Sequence, residues 1–154
     1  MKSVKGFTLI ELMVTITVLA ILISVVMPSF QRTAANNAVK STARDFVATV
    51  NTARMQSMSM RSNIAISPLS GDWNEGWQLD FPTASAEEDQ DFTPADSVTV
   101  TRTGGAGALT FLGRGGLQGG VAVFEVCHSD ANVDGREISI SFLGKVTSVL
   151  KECS

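Results

Sequence analysis

The chain has 154 residues, a formal net charge of −3, no tyrosine, one histidine (His128) and two cysteines. That length holds one domain and a shorter segment of another kind, not two full domains. The mildly acidic balance argues against a constitutive nucleic-acid binder, which would carry a basic surplus.

Residues 1–6 form a short basic leader with Lys2 and Lys5; cutting it off would take the formal charge from −3 to −5. Residues 7–30 are an apolar run, uncharged from Leu12 to Met27 and broken near its start by one carboxylate, Glu11. About 24 such residues span a bilayer with some tilt. The lysines before the run favour a cytoplasmic N-terminus. An ionised carboxylate near lipid is costly and is retained where it has a task. Three readings compete: a removable secretory signal, a plain signal anchor and a prepilin-type signal. Thr33-Ala34-Ala35 is a poor cleavage site, and Glu11 fits badly in a secretory signal. Gly6-Phe7-Thr8-Leu9-Ile10-Glu11 resembles the motif at which prepilin peptidases cut, after the glycine. The resemblance implies that Phe7 becomes the new N-terminus and is N-methylated, and that the apolar helix stays with the mature protein. It further implies that Glu11 pairs with the α-amino group of a neighbouring subunit. Two lone charges in lipid are each expensive, and pairing offsets both. Pro28 matches a proline common in this helix of the family, and is expected to kink or locally melt it.

Gln31 to Arg61 continues as an amphipathic helix. Ala35, Val39, Thr42, Phe46, Val50, Ala53 and Ser57 recur at three- and four-residue steps and form its buried stripe. Lys40, Arg44, Arg54 and Arg61 mostly lie off the stripe, as a solvated face or as contacts with neighbouring subunits. One helix over 7–61 would run about 80 Å. After Ser62-Asn63 the apolar period becomes two. Strands are expected at Ile64–Ile66, Trp77–Phe81, Val98–Val100, Leu109–Phe111, Val121–Val126, Ile138–Phe142 and Val146–Leu150. Gly113–Gly116 and Gly119-Gly120 read as turns, and 137–142 with 145–150 as a hairpin joined at Leu143-Gly144. Ala84 to Asp96 is acidic, without apolar periodicity, and reads as a mobile solvated loop. The expected fold is α+β: a long N-terminal helix packed on an antiparallel sheet. The domain plan is leader 1–6, membrane helix 7–30 and a head 31–154 built of helix 31–61 and sheet 64–151.

Gly71-Asp72-Trp73-Asn74-Glu75-Gly76-Trp77 before a strand is similar to the tryptophan-glycine-tryptophan region of the GspH/FimT family of minor pilins and pseudopilins. The ending is similar too, with Cys127 ahead of Arg136-Glu137-Ile138-Ser139-Ile140 and Gly144-Lys145-Val146. The family resemblance implies a filament subunit in the bacterial inner membrane, single-pass, with its C-terminal domain in the periplasm, and later in a type IV pilus or a type II secretion pseudopilus. The implied partners are the prepilin peptidase and other pilins or pseudopilins. Cys127 and Cys153, in a chain that crosses a membrane, suggest a disulfide tying down the C-terminus, worth about 3.5 kcal/mol by loop closure; two unrelated buried thiols are the other reading. The pair resembles the pilus branch more than the secretion branch.

No catalytic set stands out. A disulfide would remove the thiolate that a Cys127–His128 pair needs, and there is neither a phosphate loop nor a nucleophile elbow. No cofactor is expected. Asp130, Asn132 and Asp134 match the first half of a calcium loop, but the position of the bidentate glutamate holds Ser141, so an Asx-rich turn is the default. The alternative function is DNA binding for natural transformation. Some relatives use a Gly-Arg-x-Arg loop; here Gly144-Lys145-Val146-Thr147 lacks the second arginine, leaving Lys145, Lys151, Arg136 and Arg114 as phosphate-binding candidates if they cluster.

Overall fold

The computed structural model describes residues 7–82, 88–104, 107–130 and 132–153, with Val25, Val26 and Pro28 described by backbone alone. It has one helix, α1 (Leu9–Met60), and eight strands: β1 (Ile64–Pro68), β2 (Trp77–Asp80), β3 (Gln90–Phe92), β4 (Val98–Gly104), β5 (Leu109–Phe111), β6 (Ala122–His128), β7 (Gly135–Ile140) and β8 (Val146–Lys151). The chain divides into two compact units, Met1–Ala34 and Ala35–Ser154.

In the first unit every described side chain is exposed, from Phe7 to Ala34, Leu9 and Ile10 among them. Apolar side chains with no partner inside the chain require lipid or other subunits around them. Among the described residues α1 is the one helix long and apolar enough to cross a membrane. Its helical backbone is continuous through position 28, so the chain is not unwound at Pro28.

In the second unit the stripe read from the sequence is the buried face of α1. Ala35, Val39, Phe46, Val50, Ala53, Thr42 and Ser57 are all buried, joined by Ala43 and Thr49. The head holds two four-stranded antiparallel sheets, ordered β3-β2-β1-β5 and β4-β6-β7-β8. Phe46 touches both sheets. Its ring meets Trp77 of β2 edge-on at 5.1 Å and Phe124 of β6 at 4.6 Å. Trp73 completes the cluster, 4.8 Å from Phe124. Aromatic pairs in such geometry add about 0.5–1.5 kcal/mol each beyond burial. Burying the Trp77 indole would strand its N–H, so it donates to Thr49 Oγ1 at 3.1 Å, which explains a buried threonine on α1.

The stretch expected as a loop, Ala84 to Asp96, contains β3. Gln90-Asp91-Phe92 has no apolar alternation to announce a strand. Backbone pairing with β2 holds it, Trp77 opposite Phe92, and the two rings stack at 6.1 Å. Residues 83–87 of that stretch lie outside the described residues. The strand boundaries also shift: β4 runs on to Gly104, β6 runs from Ala122 to His128, and β7 starts at Gly135 and ends at Ile140. A β7–β8 hairpin forms as expected, but its strands pair Ile140 with Val146, which makes the connection longer than Leu143-Gly144; it turns through Gly144 at φ +75°, where a glycine is favoured.

Candidate assembly and partner surfaces

Gly6 lies outside the described residues. Phe7 is exposed and α1 begins two residues later. The start of the helix is a capping box, formed by the Thr8-x-x-Glu11 spacing. Glu11 Oε2 accepts hydrogen bonds from the Thr8 amide at 3.2 Å and the Thr8 hydroxyl at 3.1 Å, while the Glu11 amide donates to Thr8 Oγ1 at 3.3 Å. The sequence reading gave Glu11 an intersubunit role and overlooked this local one, although the Thr-x-x-Glu pattern was visible. A carboxylate in the first turn also sits at the positive end of the helix dipole.

At the far end of the chain Cys127 and Cys153 form a disulfide with a Cα–Cα distance of 5.9 Å. It joins the end of β6 to the residues after β8. Gly135, at the start of β7, makes this closure feasible. A Cβ there would overlap Cys153 Sγ and lie 2.6 Å from the Val126 carbonyl oxygen and 3.0 Å from Cys127 Sγ. Nearby, Glu125 and Glu137 stand directly opposite each other on β6 and β7, a repulsive pairing. Lys151 of β8 bridges them, bonding Glu125 and reaching Glu137 at 3.5 Å. The hydrogen bond to Glu125, more than the accompanying charge attraction, raises the Lys151 pKa.

The four DNA-binding candidates do not come together. Lys151 is committed to its two carboxylates. Arg136 pairs with Leu150, at the same end of the β7–β8 ladder as Lys151. Lys145 belongs to the turn at the other end, about 17 Å away along the strands. Arg114 is at that end too, because its loop packs on the turn: a Cβ on Gly144 would lie 2.6 Å from the Gly115 carbonyl oxygen. Arg54, read as part of a solvated face or as a contact with neighbouring subunits, also reaches this loop, its Nε donating to the same oxygen at 3.2 Å. In the Asp130 segment, Asp130 Oδ1 accepts both the backbone amide and the side-chain amide of Asn132 at 3.0 Å. This is an Asx turn. Among the described residues no three acidic, histidine or cysteine side chains converge as a metal set.

A surface that the sequence did not announce lies between α1 and β7–β8. Lys40, Arg44 and Arg136 border a cavity of about 380 Å³ with Asn51 and Ser148; Ala43, Val47 and Ala48 also line it. Lys40 and Arg44 are one helical turn apart and reach it together. Beside it, Val149 and Leu150 on the edge strand β8 are exposed.

A long helix, apolar and uncovered in its first unit and then buried against antiparallel sheets tied by a disulfide, defines a pilin-like subunit. A prokaryotic N-terminal methylation motif matches residues 1–27, and the family described as type II transport protein GspH matches residues 42–144. The chain belongs to that GspH family, of the GspH/FimT minor-pilin type. Among solved structures it is similar to the Pseudomonas aeruginosa type IV minor pilin FimU in one crystal form, with 26% identity and a TM-score of 0.62 over 72% of this chain and 87% of that one. A second crystal form of FimU gives 24% identity and a TM-score of 0.58 over 71% and 91%. Comparison with curated proteins gives no match.

Proposed function

We propose that this chain is a non-catalytic minor pilin that enters a filament helix-first, at or near its tip, and that the filament is a type IV pilus. The prepilin is held in the inner membrane with its head in the periplasm. It is cut after Gly6 by the prepilin peptidase and methylated at Phe7. Glu11 then pairs with the amine of a neighbouring subunit, and α1 packs among other pilin helices. The carrying observation is the change of character along one continuous helix, with apolar side chains exposed up to Ala34 and a buried stripe from Ala35 onward. The likeness to a type IV minor pilin favours the pilus over a secretion pseudopilus. Mass spectrometry of the mature protein is expected to show loss of residues 1–6 and one added methyl group. An intact N-terminus, or a cut near Ala35, would sink this reading.

A further inference from the structure

Two hollows beside β8 join into one groove, because Lys40 and Arg136 line both. The first, of about 380 Å³, also has Arg44 and Ser148; the second, of about 360 Å³, has Asn36, Asp134 and Leu150. Among the described residues the ion pairs are those of Lys151, so no carboxylate is paired with Lys40, Arg44 or Arg136. Arg136 has one long hydrogen bond, 3.5 Å to Ser148 Oγ. Asp134 is the one carboxylate among the described residues lining either hollow, so the groove is cationic on balance.

Apolar side chains accompany these cations. Ala43 and Val47 line the first hollow, and Val149 and Leu150 are exposed on β8 beside it. Cations that hold phosphates, next to apolar side chains that enter the acyl boundary, are the two halves of an interfacial lipid contact. A bare oxyanion or a nucleic-acid backbone would use the cations and leave the apolar side chains in water.

Position in the chain points the same way. Asn36 and Lys40 follow directly after the apolar unit, which ends at Ala34. Lys40 comes after Phe30, the last residue of the apolar run, by about 15 Å of helix. The headgroup layer is about 5–8 Å deep on each face of a bilayer, and helical side chains lean back toward the helix N-terminus. Lysine and arginine stems extend that reach, and the gap left is within the screening length of about 8 Å at physiological salt.

We infer that, while the chain is held in the inner membrane, the Lys40–Arg44–Arg136 groove takes the phosphate of an anionic phospholipid, with the exposed Leu150 at the headgroup–acyl boundary. The contact steadies the head against the membrane before assembly and is released when the subunit is drawn into a filament. It rests on the membrane-held state of the filament reading above.

The test is acylation of the full-length chain by a water-soluble N-hydroxysuccinimide ester, in phosphatidylcholine vesicles with and without phosphatidylglycerol. Mass spectrometry scores Lys40 against Lys145, which is exposed at the other end of the β7–β8 hairpin. Phosphatidylglycerol is expected to lower relative Lys40 acylation about tenfold, and Arg44→Gln, at an exposed position, should give back about fivefold of it. Equal acylation in the two vesicles, or protection that Arg44→Gln leaves unchanged, would overturn the inference. Protection by glycerol 1-phosphate added to phosphatidylcholine vesicles would also overturn it, assigning the groove to a free oxyanion; protection by duplex DNA there would assign it to nucleic acid. Protection that disappears when the protein is diluted in excess lipid would assign it to a second copy. The N-terminal peptide in the same digest, from protein made in cells with the prepilin peptidase, separates the two readings. Unprotected Lys40 on a chain processed to methylated Phe7 overturns the lipid contact alone. Protected Lys40 on an unprocessed chain overturns the filament reading alone.

Discussion

Thr8 and Glu11 depend on each other in the capping box, so substituting either one removes it. An N-cap replacement costs about 1 kcal/mol of helix stability. In the proposed assembly, docking to a neighbour's amine belongs to Glu11 alone. Glu11→Ala is therefore expected to abolish incorporation into sheared filaments on immunoblots, while Thr8→Ala lowers it only modestly. Equal defects would mean that capping is the whole role of Glu11. Gly135 makes a different demand, because a methyl group there would occupy the space of the disulfide sulfurs. Gly135→Ala should leave Cys127 and Cys153 partly unbonded, countable by thiol titration under denaturing conditions. The expected stability loss is about 2–5 kcal/mol, the range for a missing native disulfide in a small domain.

At the scale of elements, the Lys151 bridge gives the β6–β7–β8 ladder a pH dependence. Folding raises the Lys151 pKa, so this contribution is fully present below the ordinary lysine pKa and is lost as pH rises through the raised value. Thermal melts should show native protein losing stability through the alkaline lysine range more steeply than Lys151→Met. At neutral pH the native protein should be the more stable of the two, by a small margin because the lysine is partly exposed, and the two should converge as pH rises.

The elements also show what was legible in the sequence and why. The α1 stripe was readable because a helix repeats its buried face every three or four residues, and Ala35 through Ser57 keep that period. The β7–β8 hairpin was readable from alternation around Gly144. β3 was hidden because its stability comes from backbone bonds and from Phe92 stacking on Trp77, residues that sequence separates widely. The part played by Gly135 was hidden, because the sulfurs it accommodates come from either side of it in the chain. The basic groove was hidden for the same reason, since Arg136 meets Lys40 and Arg44 only through folding.

At the scale of the whole molecule, every buried residue described lies at or beyond Ala35. The first unit contributes no buried side chain to the head. A chain lacking residues 1–34 is therefore expected to fold as a soluble domain with an intact disulfide. Its Tm should match that of the full-length head in detergent to within a few degrees, by near-UV circular dichroism. A molten or aggregated product would show that the membrane segment stabilises the head.

The capping box carries a consequence for how a subunit is admitted. The carboxylate of Glu11 already has company, two donors from Thr8. Both bonds end on Oε2, and a carboxylate accepts on both of its oxygens. In the proposed assembly an incoming amine would therefore join a carboxylate that its own helix already holds in place, and Thr8 would not have to let go. The turn that starts the helix would then also aim the charge by which the subunit docks.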